Sequence, residues 1–124
     1  EARWTGAPVN FLTSHDWSLA MQPYEQHHST SATTIVGGVS VPANTSARDS
    51  LKIALDTLFN HPNTGPFFAR QMIQRLVTSD PSCDYVGRVA AKFNNNGAGV
   101  RGDLKAVLRA VLIDAEARSA SVAT

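Results

Sequence analysis

The sequence predicts a mostly α protein: a compact four-helix domain with an irregular, aromatic-rich N-terminal segment. Three observations lead there. Apolar residues recur at helical spacing in four separate stretches after Thr45. Each stretch opens on a residue that suits a helix start, namely Ser46, Thr64, Asp80 and Asp103. The first 45 residues lack that periodicity, and they hold three of the four histidines, both tryptophans and three of the six prolines. Residues 1–45 are thus expected to pack irregularly on a helical core at 46–118, with 119–124 a frayed tail.

The elements follow in order. Residues 1–32 read as irregular, with a helical turn near Trp17–Met21, anchored through Trp4, Phe11, Trp17 and Tyr24. In "TTIVGGVSV" (33–41), β-branched residues flank Gly37-Gly38, which is either a short hairpin or an extended loop. "TSARDSLKIALDTLFNHP" places Ser46 three residues before Asp49, a capping-box arrangement, and carries a stripe of Leu51, Ala54, Leu55, Leu58 and Phe59. Pro62 stops that helix, and His61 before it is biased away from helical angles. The second helix starts at Thr64 with Pro66 in its first turn, and Phe68, Ala69, Met72, Ile73, Leu76 and Val77 share one face. Asp80-Pro81 predicts the third helix start, with Val86, Val89, Ala90 and Phe93 inward. "NNNGAG" is a loop by composition, and a last helix from about Asp103 turns Leu104, Val107, Leu108, Val111 and Leu112 inward.

Composition bounds the function. A chain of 124 residues with 43% hydrophobic and 17% charged residues is long enough for one globular domain. A net charge of +1 leaves no footprint for nucleic acid. No apolar run approaches the roughly 18 residues of a membrane span. The one cysteine, Cys83, has no internal disulfide partner. No signal-peptide pattern opens the chain, and its first residues, "EARWTGAPVN", read as mid-protein sequence cut from something larger.

Chemistry-bearing motifs are sparse. "KFNNNGAGVRGDL" offers Asn94, Asn96 and Asp103 at positions three, five and twelve of a calcium loop counted from Lys92. Lys92 stands where the first carboxylate belongs and Gly99 where the apolar residue belongs, so a plain helix–helix connection is the stronger reading. His15, Asp16, His27, His28 and His61 are candidate ligands for a divalent metal, although their spacing fits no standard zinc signature. Their competing reading is loop histidines packed on aromatics, with His61-Pro62 a helix-stop corner whose imidazole bonds exposed carbonyls. Trp4, Trp17 and Tyr24 are a candidate stacking platform for sugars. No serine sits in a G-x-S-x-G elbow, Cys83 has no evident helper, and "IVGGVSV" lacks the helix and Lys-Ser/Thr pair of a phosphate cradle. Arg70, Arg75 and Arg88 read as solvated helix surface. No cofactor is expected, a divalent metal being the alternative.

"HHSTSATTIVGGVSVPANTS", "LKIALDTLFNHPNTGPFFARQMIQRLVTSDPS" and "FNNNGAGVRGDLKAVLRAVLIDAEAR" together resemble the large bacterial family catalogued as domain of unknown function 1800. The resemblance spans about residues 25–118 and rests most on "NHPNTGPF", "RLVTSDPS" and "GVRGDL…AEAR". It implies a mainly helical protein of which this chain is the C-terminal part, many members being longer and exported. A periplasmic or extracellular setting follows from the resemblance alone. It implies no activity, substrate or catalytic residue. His27-His28 departs from the His-Asp that members often show, and Cys83 from their small residues. The expectation is a structural or protein-association module whose partner is protein, either the remainder of its own chain or another subunit. The alternative is a fragment of a metal-dependent enzyme using the N-terminal histidines.

Overall fold

The computed structural model describes residues 2–3 and 22–119. The fold class is mostly α, with four α-helices and a short antiparallel hairpin among the described residues. The chain divides into two units, Glu1–Asn60 and His61–Thr124. Trp4, Phe11, His15, Asp16 and Trp17, the turn expected near Trp17–Met21, and 120–124 of the tail lie outside the described residues.

In the first unit, β1 (Ala2–Arg3) pairs antiparallel with β2 (Gln22–Pro23). A single 3-10 turn follows at Glu25–His27. β3 (Thr33–Thr34) and β4 (Ser40–Val41) then form the hairpin, with Thr33 opposite Val41 and Thr34 opposite Ser40. Its reversal uses Gly37 and Gly38 at φ 73° and 75°, angles that a side chain resists. The hairpin alternative for 33–41 is therefore the one the chain adopts.

The helix α1 (Ala47–Asn60) begins as its sequence predicts. Ser46 Oγ accepts the Asp49 amide at 3.1 Å and donates to the Asp49 carboxylate at 2.8 Å. A second acid, invisible in the local pattern, completes the start. The Glu25 carboxylate accepts from the Ala47 amide at 3.0 and 3.1 Å, clamping the 3-10 turn to the helix N-terminus. The predicted stripe of α1 does not become core: Leu51, Leu55, Leu58 and Phe59 are exposed, and Ala47 is the helix's buried residue. The described partners in this unit are two-residue strands and single turns, too small to cover 14 helical residues.

The second unit holds α2 (Thr64–Leu76), α3 (Cys83–Asn94) and α4 (Leu104–Ile113), all three packed on one another. Ala69 and Ile73 of α2 meet Tyr85, Val89, Ala90 and Phe93 of α3 and Val107 and Val111 of α4. Phe68, Met72, Val77, Val86, Ala110 and Ala117 close the edges of this cluster. The Phe68 and Phe93 rings lie tilted, with centroids 5.5 Å apart.

Two helix starts shift by a residue or two from expectation. Asn63, not Thr64, occupies the cap position of α2, without a side-chain bond, and Pro66 falls in the first turn as predicted. α3 is capped by Ser82 rather than Asp80, its Oγ accepting the Tyr85 amide at 3.1 Å. Two inward faces are also revised. Leu76 is exposed, and in α4 Val107 and Val111 are fully buried while Leu104, Leu108 and Leu112 point outward. The helix LKAVLRAVLI is apolar around most of its circumference, so periodicity alone does not choose which apolar ridge meets α2 and α3.

Candidate functional site

The second unit's interior is apolar: no polar or charged side chain is buried among the described residues except the Tyr85 phenol. Tyr85 brings its hydroxyl to the Val111 carbonyl at 2.5 Å, satisfying an oxygen in the last turn of α4. Burial, aided by Asp114 and Glu116, pushes the Tyr85 hydroxyl above its ordinary pKa.

Around that anchor the start of α3 is laced to the end of α4. Arg88 grips Asp114 with two bonds, Nε to Oδ2 at 2.8 Å and Nη2 to Oδ1 at 2.7 Å. Glu116 accepts from the Ser82 hydroxyl at 2.6 Å and the Ser82 amide at 3.0 Å. Arg88 also lies over the Tyr85 ring at 5.8 Å. These groups are bound to one another and to the backbone, so they act as a structural clasp. Their carboxyls sit below the ordinary carboxylate range, Asp114 through its bond from Arg88 and Glu116 through Ser82.

The loop after α3 is built the same way. Asn95 Oδ1 accepts the amides of Gly97 at 2.8 Å and Gly99 at 3.0 Å, and Asn96 Oδ1 accepts those of Ala98 at 2.8 Å and Val100 at 3.2 Å. Asn96 Nδ2 donates to Asp103 at 2.7 Å, and Asp103 caps α4 by accepting the Lys105 and Ala106 amides at 3.0 and 3.1 Å. The bond from Asn96 holds Asp103 below its ordinary pKa. Asn94 accepts from the Arg101 guanidinium, which also donates to the His61 carbonyl at 3.2 Å and covers the Phe93 ring at 5.0 Å. Asn94, Asn96 and Asp103 are thus brought into one loop, but their oxygens are directed at amides and a guanidinium of that loop and its neighbours.

Three folded-state carboxyls with lowered pKa values, Asp103, Asp114 and Glu116, predict an acid limb in stability. Because each binds its proton less readily folded than unfolded, their stabilisation is complete above the unfolded values of 3.8 and 4.5. It is lost as pH falls further through the folded values. Urea unfolding followed by circular dichroism should therefore show stability dropping below about pH 4, and Asp114→Asn should make that drop shallower. An unchanged acid limb in the variant would show that the Arg88 clasp contributes nothing.

The remaining candidates disperse. His27 is exposed at the end of the 3-10 turn. His28 is half-buried, its Nε2 3.1 Å from Ser50 Oγ, at one side of an open cleft of about 320 Å³ lined also by Ser31, Thr33, Ile35 and Val41. His61 belongs to the second unit. Its Nδ1 accepts the Asn63 amide at 3.2 Å, so the corner is turned by an imidazole accepting an amide rather than bonding a carbonyl. Tyr24 is half-buried beside β2. Cys83 is exposed on the first turn of α3. Among the described residues, no group of three or more His, Cys, Asp or Glu side chains could hold a metal ion. Among them, no helix is long and apolar enough to cross a membrane.

What stands out chemically is the outer face of α4. Leu104, Leu108 and Leu112 stand one helical turn apart, 58%, 40% and 51% exposed, with Ile113 at the end also half exposed. Lys105 and Arg109 stand exposed beside this row. The sequence contained every one of these residues, but reading the leucines as core hid the surface they form.

Fold and surface together define a small helical domain stabilised by an α2–α4 core and presenting an apolar helix face. Its family is shown by comparison: the chain belongs to the family described as "Protein of unknown function (DUF1800)", whose model matches residues 4–124. No curated protein and no solved structure matches the chain.

Proposed function

We propose that this domain is a protein-association module of a larger assembly, working through the outward face of α4. The observation that carries the reading is the row Leu104, Leu108 and Leu112, exposed on a helix whose Val107 and Val111 are fully buried in the core. Leaving several large apolar side chains contiguous in water costs free energy that covering them recovers, at about 25 cal/mol per Å². Support also comes from the polar clusters, whose side chains are spent on caps and clasps rather than aimed at an open cleft. The partner is protein, either more of its own chain or another subunit. An exported setting, periplasmic or extracellular, belongs to this reading through the family resemblance.

Photo-cross-linking tests it. A benzophenone amino acid at position 108, in the full-length gene product expressed in its native host, is expected to trap a protein adduct or an intrachain cross-link. The same group at exposed Arg75 on α2 serves as the control. Absence of any protein cross-link at 108 and 112 would end the proposal.

A further inference from the structure

The charge around the leucine row narrows what covers it. α4 carries Lys105 and Arg109 and no acidic residue anywhere from Leu104 to Ile113. At about 100° per residue, Lys105 and Arg109 follow directly on the Leu104–Leu108–Leu112 row, and Ile113 lies beyond them. The exposed face is therefore an apolar ridge bordered by a cationic one. The one acid near its start, Asp103, is committed to Asn96 and the α4 amides.

We infer that this face receives an amphipathic helix whose apolar ridge is flanked by acidic side chains. The inference rests on the association reading and adds the chemistry of the partner. Leucines at intervals of four form the straight ridge that seats in the groove of another helix, and about 12 Å separates Leu104 from Leu112 along the axis. Glutamates or aspartates bordering the partner's apolar ridge would meet Lys105 and Arg109, adding favourable charge pairing and faster encounter. A second copy docking through the same face is disfavoured, because it would bring Lys105 and Arg109 against their own counterparts. A lipid surface would also attract the cations. However, a leucine ridge one residue wide, with Lys105 and Arg109 directly alongside it, suits a helix groove better than a planar apolar slab.

The test uses the 124-residue chain and two labelled helical peptides that share one leucine row and differ only in flanking glutamates or lysines. Binding is read by fluorescence anisotropy at low and physiological salt. The glutamate peptide is expected to bind about tenfold tighter than the lysine peptide, the gap narrowing with salt. The double variant Lys105→Glu with Arg109→Glu should reverse the preference. Leu108→Asp should abolish binding, and because Leu108 is already 40% exposed, circular dichroism should show it folded. Equal affinity for the two peptides, no affinity for either, or binding that survives Leu108→Asp would overturn the inference. Binding to vesicles of anionic phospholipid but to neither peptide would overturn it in favour of lipid. Concentration-dependent dimers without peptide binding would overturn it in favour of self-association. A cross-link at position 108 accompanied by no charge preference would remove this inference and leave the association reading standing.

Discussion

Tyr85→Ala is expected to lower the unfolding free energy by about 3–5 kcal/mol, enough to leave the domain largely unfolded at modest urea. Tyr85 is fully buried at the junction of α3 and α4, among the largest side chains in the cluster. Its removal empties a ring-sized volume in the cluster that also holds Ile73, Val89 and Val111, which the packed helices close only in part. It also strips the Val111 carbonyl of its 2.5 Å bond in a turn where no helix amide follows to replace it. Tyr85→Phe separates the two contributions: the ring stays and the buried carbonyl loses its donor, for about 1–3 kcal/mol. Urea unfolding monitored at 222 nm checks both, and a loss below about 1 kcal/mol for the alanine variant would contradict the packing described.

Tyr85 also shows where sequence reasoning stops. The third helix was legible, since its apolar residues recur at helical spacing and its loop is announced by "NNNGAG". Its buried face was legible apart from one member: Tyr85, Val89 and Phe93 are spaced four apart, yet a phenol counts as half polar until a carbonyl is found for it. That carbonyl lies 26 residues away, so no local pattern reveals it. The same holds for Glu25, which reaches 22 residues to cap α1, and for Glu116, which reaches 34 to bind Ser82. Capping by Ser46 and Asp103 was readable because both partners lie within three residues.

Faces were harder than elements. Helices with an apolar arc wider than their contact leave part of that arc outside, and the pattern does not say which part. In α4 the valines, shorter and β-branched, went inward into the cluster with Tyr85 and Ile73, and the leucines stayed out. The candidate site was illegible for that reason: its leucines were identified correctly and assigned to the interior. The loop asparagines were read as loop formers, and that is the role their oxygens perform. The histidines were candidate metal ligands together with Asp16; His15 and Asp16 lie outside the described residues, and among the described ones no group of three or more His, Cys, Asp or Glu could hold a metal ion.

Gly65→Ala gives the second large effect, and it runs against propensity. On an isolated helix the change is favourable by about 1 kcal/mol. Here a methyl group would stand 2.8 Å from Asn94 Oδ1, 3.3 Å from Phe93 Cδ1 and 3.5 Å from the Ala90 carbonyl, where α2 crosses the end of α3. An amide on a free side chain would swing aside, but Asn94 is held by Arg101, which is itself held by the His61 carbonyl and the Phe93 ring. Phe93 is buried, so it has no room to retreat. The expected result is a net loss of about 1–3 kcal/mol, read from the urea midpoint at unchanged slope. Asn94→Ala removes the nearest obstruction, so in that background the same glycine substitution should cost less by about 0.5 kcal/mol or more. A coupling of zero would mean that Phe93 and the α3 backbone, not the anchored amide, set the approach of the two helices. A gain of stability from Gly65→Ala alone would mean that the helices are free to part, and the tight crossing that positions α3 beneath the exposed face of α4 would have to be abandoned.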